Sequence, residues 1–312
     1  MEDYPRTVSE FEQRFATEEA CRDYLMRLRW PEGFVCPRCQ GAKGWPTRRS
    51  LVACGSCGYQ VSITAGTIFE GTRKPLTMWF EAMWWVTNQK TGASALGLQR
   101  TLGLGSYQTA WTWLHKLRRA MVRPGRDQLS GIVEVDETYV GAPQAGKRGR
   151  GALGKTLVVI AAQIKGKGIG RIRLKRVHDA SAESLDPVVQ EAVIGGTVVQ
   201  TDGWLGYSGL KSEGYTHEVV RPMAQVGEDL LSHCHLVASL LKRWMMGTHQ
   251  GAISHEHLDY YLDEFTFRFN RRASRHRGKL FYRLVQQAVA IEPTGYRRMV
   301  KGVRGRKPRP TT

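Results

Sequence analysis

The stretch Ile132–Val140, "IVEVDETYV", decides the fold of this chain. Its β-branched and apolar residues are typical of a strand, yet Glu134, Asp136 and Glu137 stand among them. The chain itself is strongly basic, with 46 Lys and Arg against 28 Asp and Glu and a formal net charge of +18. A basic protein with carboxylates on a central strand needs a reason to hold them there.

The segments that follow predict the rest of the sheet. Two strands, "KTLVVIAAQIKG" and "GIGRIRLKRVH", precede a helix, "DASAESLDPVVQEAVI", and a fourth strand, "TVVQTD", which breaks at Gly203. The order β-β-β-α-β predicts three antiparallel strands and a crossover that brings the fourth strand beside the first. A possible fifth strand, "GYTHEVV", and two long helices, 229–246 and 254–270, complete an α/β fold.

This topology suggests that the carboxylates bind a metal ion. If the first and fourth strands are neighbours, Asp136 and Asp202 lie together. Two carboxylates held close repel each other unless a divalent cation lies between them. Mg²⁺ prefers oxygen ligands and keeps positions open for phosphate and water. Either Asp alone is more often a cap or turn residue, so the interpretation depends on their joint placement.

The cysteines predict a second metal site. Four of the six form the pairs "CPRC" and "CGSC", separated by 14 residues, close to the spacing of a zinc ribbon. Four thiolates close a tetrahedral Zn²⁺ site, and such a site is structural. Disulfides are the competing interpretation, which a reducing compartment disfavours. The predicted zinc ligands are Cys36, Cys39, Cys54 and Cys57.

Helices surround the ribbon. An amphipathic helix is predicted over residues 8–30, and an apolar, aromatic helix over 76–90. Residues 93–102, a turn at 103–105 and a helix over 106–121 form a helix-turn-helix pattern, whose second helix enters the major groove in DNA-binding proteins. Plain helix packing without DNA remains the alternative. The predicted organisation is a helix with zinc ribbon (1–70), a helical DNA-binding segment (71–125), an α/β domain (131–290) and a basic, disordered tail (291–312).

The charge of the chain favours a polyanionic partner, with nucleic acid as the first choice. No apolar run approaches a membrane span, and the N-terminus lacks the apolar core of a secretion signal, so we expect a cytoplasmic protein that associates with the nucleoid when bound to DNA. Basic runs flank the predicted acidic site and are expected to contact phosphates. The candidate DNA-binding residues are Lys116, Arg118, Arg119, Lys147, Arg148, Arg150, Arg271 and Arg272.

Together these stretches resemble a known family. The ribbon cysteines, "VEVDETYVG", "TDGWLGY", "LLKRWMMGTHQGAISHEHLDYYLDEFTFRFNRR" and "RGKLFYRLV" are similar to the DDE transposases of bacterial insertion sequences, in the branch with an N-terminal zinc ribbon. The resemblance covers nearly the whole chain. It implies an RNase H-like catalytic domain, Mg²⁺ or Mn²⁺, inverted-repeat DNA as partner, and an oligomer on that DNA. Asp136 and Asp202 match the first two catalytic acids.

The third catalytic position departs from the family pattern, which usually has a Glu on a helix followed seven residues later by a basic residue. Here His235 stands 33 residues after Asp202, and Lys242 follows seven residues later, on the same helix face. The resemblance therefore implies that His235 takes the third position and Lys242 contacts DNA. Neutral imidazole suits Mn²⁺ better than Mg²⁺, so His235 either binds metal or orients water or phosphate. The rival carboxylates are Glu228, Asp229 and Glu264, the last of which is expected to form a salt bridge.

The resemblance implies metal-dependent hydrolysis at the element ends, followed by strand transfer into target DNA. Two other functions stay open: a catalytically inactive, transposase-derived DNA-binding protein, and an RNase H-like nuclease that cuts without joining. Both Asp motifs and Lys242 argue against the first, and the zinc ribbon beside the helix-turn-helix argues against the second.

Overall fold

A computed structural model describes residues 2–123, 125–141, 155–220, 231–251 and 253–300. The chain forms two compact units, one of Met1–Arg123 with Ser274–Thr312 and one of Pro124–Ala273. No helix within the described ranges is both long enough and apolar enough to cross a bilayer.

The N-terminal segment forms two helices rather than the one predicted over residues 8–30. Helix α1 spans Val8–Arg14 and helix α2 spans Glu18–Arg29. Thr17 separates them, because its extended backbone and its side chain, which accepts a hydrogen bond from Ala20 N, start a new helix. The apolar periodicity runs through both helices and concealed the break.

The ribbon that follows is a small antiparallel sheet. Strands β1 (Gly44–Pro46), β2 (Leu51–Cys54) and β3 (Gln60–Ser62) pair in that order. The two cysteine pairs lie in the turns around this sheet, so the predicted ribbon is confirmed as a three-stranded module.

Three helices complete the N-terminal part of the first unit: α3 (Leu76–Asn88), α4 (Ala95–Thr101) and α5 (Tyr107–Ala120). Ser94 and Ser106 cap α4 and α5 by accepting hydrogen bonds from backbone N–H groups. Gly103, at φ +61°, makes the turn between them. The predicted helix-turn-helix pair is therefore present as two helices and a tight turn.

The second unit is built on a five-stranded mixed sheet. Its order is β6-β5-β4-β7-β8, with β4 antiparallel to β5 and parallel to β7. This is the crossover that the β-β-β-α-β pattern predicts, and it is the strand arrangement of an RNase H-like domain. The strands are β4 (Ile132–Val140), β5 (Thr156–Lys165), β6 (Gly168–Val177), β7 (Val198–Thr201) and β8 (Thr216–Val219).

Helices cover both faces of this sheet. The apolar run of β5 alternates between them: Val159 and Ala161 pack toward α6 (Ala182–Ala192), while Ile160 packs toward α7 (Ser232–His249) and α8 (Leu258–Asn270). Burial on both faces explains why "LVVIAA" lacks polar alternation.

Two C-terminal helices return to the first unit. Helix α9 (Arg277–Ala288) buries Phe281 among aromatic rings of the N-terminal helices, including Phe11 and Phe80. Helix α10 (Tyr296–Val300) buries Met299. The predicted boundaries therefore differ from those of the compact units. Helix α9, which the sequence assigned to the catalytic domain, and helix α10, which it assigned to the tail, belong to the first unit because they bury apolar residues there.

Candidate active site

The two predicted catalytic aspartates lie at the same level of the central sheet. In the parallel pair of β4 and β7, Glu134 is opposite Gln200, and Asp136 and Asp202 each lie two residues further along. Asp202 directly follows the last residue of β7. Gly203 then breaks the strand at φ +79°, where a Cβ atom would come 2.5 Å from Val219, so only glycine fits.

His235 lies against the first aspartate. It stands in the first turn of α7, and its Nε2 is 3.2 Å from Oδ2 of Asp136. The His235 side chain is 54% exposed and that of Asp136 is 17% exposed, so the pair forms the floor of an open site. The chain thus brings together an imidazole and a carboxylate separated by 99 residues of sequence.

Asp202 is the outer member of the group. It is exposed, and its Oδ1 accepts a hydrogen bond of 2.9 Å from Trp204 N. Among the described residues, the four cysteines are the only three or more His, Cys, Asp or Glu whose ligand atoms all lie within 4.8 Å of one another. Asp136, Asp202 and His235 do not form so tight a group, although the charge of Asp202 is close enough to raise the pKa of Asp136.

Burial raises the pKa of Asp136 to about 6. The backbone N–H of Glu137 and the imidazole of His235 oppose this effect, and the carboxylates of Glu137 and Asp202 add to it. A carboxylate with such neighbours is stabilised by any cation that binds beside it. A cation beside Asp136 would therefore lower its pKa and stabilise its charged form.

This pKa gives a prediction for stability. Because the pKa of folded Asp136 is raised from 3.8 to about 6, its protonated form favours folding at low pH, and that contribution is lost as pH rises through about 6. In the metal-free protein, Asp136→Asn should therefore raise the free energy of unfolding by up to about 3 kcal/mol at pH 8, and by little below about pH 4. Urea unfolding with a chelator at both pH values measures the difference. An advantage that grows toward low pH would contradict it.

Lys242 lies two helical turns after His235 on α7. Partial burial lowers its pKa, as does the neighbouring Lys155, while Asp136 acts in the opposite direction. Lys242 also lines a cavity of about 220 Å³ with Tyr139 and Met245. Lys242 and Lys155 therefore place two positive charges close together on the same side of the sheet as Asp136.

Sequence reasoning missed Glu134, which positions the helix that carries His235. Glu134 is buried, and its Oε2 accepts hydrogen bonds of 3.0 Å from the backbone N–H groups of both His233 and Cys234. Its Oε1 is 2.6 Å from Nδ1 of His233. Helix α7 has no side-chain N-cap of its own, so a carboxylate from β4 takes that place. Glu134 and Asp136 share one face of the strand and meet the two histidines of "HCH".

We expect Glu134→Ala to lower the free energy of unfolding by about 3–5 kcal/mol, because it leaves the buried N–H of Cys234 and the part-buried N–H and imidazole of His233 without their acceptor. Denaturant unfolding of the full chain measures the effect. Glu218→Ala is the matched control, since that carboxylate is exposed on β8 and should change stability by less than about 0.5 kcal/mol. Equal stability of the two variants would show that Glu134 does not hold α7.

The four cysteines of the ribbon converge in the first unit. The Sγ atoms of Cys36 and Cys57 are 3.8 Å apart, and those of Cys39 and Cys54 are 3.6 Å apart. A tetrahedral ion with Zn–S bonds of about 2.3 Å separates its sulfurs by about 3.8 Å, so the cluster fits zinc. Hydrogen bonds from backbone N–H groups, first that of Cys57, lower the pKa of Cys54 to about 6, which favours the thiolate that zinc requires.

Two of the three predicted DNA-binding residues of α5 form hydrogen bonds within the protein. Arg118 is buried and donates to the carbonyl of Ala93, and Lys116 donates to that of Ile68. Both therefore contribute to packing, and Arg118 is not on a surface that DNA reaches. The exposed end of α5 is its start, where Tyr107 and Gln108 face solvent. Arg119 is half-buried.

The remaining candidates divide into two groups. Arg271 and Arg272 lie over the rings of Phe267 and Phe269, each 4.1 Å from the ring centroid, and both donate to backbone carbonyls of the second unit.

Glu264 is buried and forms the expected ion pair with Arg268, at 2.8 Å, so it is not a third ligand. Lys147, Arg148, Arg150, Glu228 and Asp229 lie outside the described residues.

Comparisons with known proteins define the class. Residues 128–270 match the family model of the ISXO2-like transposase domain, and residues 16–60 match that of the transposase zinc-ribbon domain, together more than half of the 312 residues. The chain belongs to the insertion-sequence transposases that carry a zinc ribbon and a DDE domain.

Particular relatives agree with this class. A protein described as an uncharacterized protein in transposable element ISH50, from Halobacterium salinarum, is 26% identical over 275 residues, covering 81% of this chain and 91% of the relative. Among solved structures, a simian T-cell lymphotropic virus intasome is 12% identical and covers 61% of this chain and 70% of its own, with a TM-score of 0.31. A pre-cleavage Mos1 transpososome is 14% identical and covers 71% and 79%, with a TM-score of 0.28. Likenesses at these TM-scores carry no weight for function.

Proposed function

We propose that this transposase binds the terminal inverted repeats of its insertion sequence, cuts the DNA at each end and joins the released end to target DNA. The observation that carries the proposal is that Asp136 on β4 and Asp202, directly after the end of the neighbouring β7, lie at one level of the sheet, with His235 3.2 Å from Asp136. The family match supplies the class of substrate.

The donor set of this site fits a hard divalent ion. Asp136 and Asp202 are the residues that would hold Mg²⁺ or Mn²⁺, and the imidazole of His235 favours Mn²⁺ of the two. When bound, such an ion supplies activation of the attacking oxygen and stabilisation of the leaving oxygen of a phosphodiester.

The chain's own residues do the positioning. Asp136 holds His235 at the floor of the site, so the imidazole is available to orient a water molecule or a phosphate oxygen. Lys242 binds a phosphate two helical turns further along α7, which fixes the DNA strand across the carboxylates. Glu134 keeps the start of α7 in place while the substrate binds.

Double-stranded DNA is the partner that the charge of the chain supports. A net charge of +18 favours a phosphate backbone, and the exposed start of α5 presents Tyr107 and Gln108 to a groove. The chain acts in the cytoplasm, as an oligomer that holds two element ends. The four cysteines hold Zn²⁺, which stabilises the ribbon beside this helical segment.

The test uses purified full-length protein and labelled duplexes that cover the DNA on both sides of its gene, with plasmid target DNA, in Mg²⁺ and separately in Mn²⁺. The expected products are a nick or break at the element end and a strand joined to the plasmid. Cutting without joined strands would favour the RNase H-like nuclease. Tight binding without cutting in either metal would favour the inactive DNA-binding relative.

A further inference from the structure

A leucine projects into solvent beside the second catalytic aspartate. Leu205 begins the 3-10 helix Leu205–Lys211 and is 77% exposed, more than any other large apolar residue that the structure describes. Its neighbours in this helix, Tyr207 and Leu210, are fully buried. Leu205 therefore faces outward while Gly206 and Tyr207, which follow it, face the core.

The turn holds Leu205 in a fixed position. Before it, Trp204 donates from its backbone N to Asp202 and from its indole Nε1 to the carbonyl of Ala180, at 2.9 and 2.7 Å. After it, Gly206 is buried so tightly that a Cβ atom would lie 2.4 Å from the same carbonyl. The hydroxyl of Tyr207 donates to Glu137 at 2.9 Å. These contacts fix the backbone on both sides of Leu205 and so hold its Cα close to Asp202.

The short distance between Leu205 and Asp202 indicates which part of a bound DNA duplex the leucine would contact. Three residues of chain span at most about 11 Å, so Leu205 lies within about three base-pair steps of a phosphate held at Asp202. An isobutyl group offers nothing to a phosphate, but it packs against bases and sugars. Leu236, which follows His235 and is also exposed, gives the site a second apolar neighbour. Lone exposed leucines are common, and the fixed place beside Asp202 is what distinguishes this one.

We propose that Leu205 is a wedge that enters the duplex beside the scissile phosphate and separates the adjacent base pairs. This inference rests on the proposed function, because it takes element-end DNA as the substrate. Apolar side chains such as Leu enter base steps and unstack them in other DNA-binding proteins. Opening the step gives the strand at Asp136 and Asp202 the freedom to place its phosphate across both carboxylates.

The test compares Leu205→Ala with wild type on fully paired duplexes from the gene flanks and on duplexes with two mismatched pairs beside the cleavage point. Leu205→Ala should cut the paired ends roughly tenfold or more slowly and the mismatched ends within about twofold of wild type, since mismatches supply the opening. Leu205→Met should cut paired ends almost as wild type does. An equal loss on both kinds of duplex, or no loss, would overturn the wedge.

A second readout is independent of cleavage. Permanganate reactivity of thymines in the bound flank duplex reports unpaired bases, which wild type should show and Leu205→Ala should lack. Unpairing that depends on Leu205 without any cleavage would refute the proposed function and support the wedge, whereas cleavage without unpairing would do the reverse. Ile194→Ala is the matched control, because Ile194 is 50% exposed and precedes β7, at the end of the strand opposite to Asp202. It should leave unpairing and cleavage unchanged.

Discussion

Asp136→Asn and Asp202→Asn should each reduce DNA cleavage and joining by at least about a thousandfold, a loss of about 4 kcal/mol in transition-state stabilisation. Asparagine keeps the size of each side chain but removes the charge that a divalent ion needs. Both acids stand at one level of the central sheet, so neither replaces the other. Binding of element-end DNA should remain, because phosphate contacts come from the basic residues rather than from the acids.

The measurement is single-turnover cleavage of the labelled flank duplexes, with a gel-shift assay of the same proteins. Urea unfolding of wild type and both Asp variants in the cleavage buffer separates a loss of activity from a loss of folded protein. Glu218→Gln removes an exposed carboxylate from β8 and serves as the control, with activity near that of wild type. Cleavage that survives either Asp substitution would place the metal-binding carboxylates elsewhere.

His235→Ala separates the two roles left open for the imidazole. If His235 binds metal, the variant should lose activity in Mn²⁺ as severely as the Asp variants do. If it orients water or phosphate, the loss should be smaller, on the order of a hundredfold, and similar in Mg²⁺ and Mn²⁺.

The sequence predicts the strand arrangement because local patterns and chain topology agree. Three strands, a helix and a fourth strand admit few arrangements, since a crossover between parallel strands is right-handed. Asp136 and Asp202 then lie at the same end of two neighbouring parallel strands, because the fourth strand pairs with the first. The assignment of His235 to the site comes from the family resemblance, which places the third position on a helix after the second Asp; its Nε2 lies 3.2 Å from Asp136.

Other features depend on contacts that no local pattern encodes. Glu134 reads as one more carboxylate in a strand, and its role as the cap of α7 appears only when residues 99 and 100 positions away meet it. One signal was available in the sequence. "EVD" has two carboxylates and "HCH" has two histidines, in both cases two residues apart, which matches the two pairs that the structure brings together. The burial of Arg118 could not be predicted from the sequence either, because a run of basic residues at a helix end does not reveal which side chains face the interior. Likewise, the apolar face of α9 does not say which unit it will join.

Removing zinc should unfold the ribbon and leave the second unit folded. Four thiols with sulfurs 3.6 and 3.8 Å apart bind the ion together, and structural zinc stabilises such a module by about 10 kcal/mol or more. Apart from the cysteines, the three short strands bury only a few small apolar side chains such as Val52 and Val61, and β1 is exposed throughout its length. Hydrogen exchange across residues 33–64 should rise to that of unfolded chain on chelation, while β4 and β5 stay protected.

Cys36→Ser should reproduce this effect, with zinc content falling from one ion per chain to a weakly bound fraction. Cys21→Ala is the matched control: Cys21 is buried in the same unit, lies outside the four-cysteine cluster, and should retain full zinc content. Because the acids stand in the other unit, the zinc-free protein should keep its divalent-ion site yet bind element ends more weakly. A ribbon that stays protected without zinc would show that its short strands suffice. Unchanged binding of element ends would show that the ribbon takes no part in recognising them.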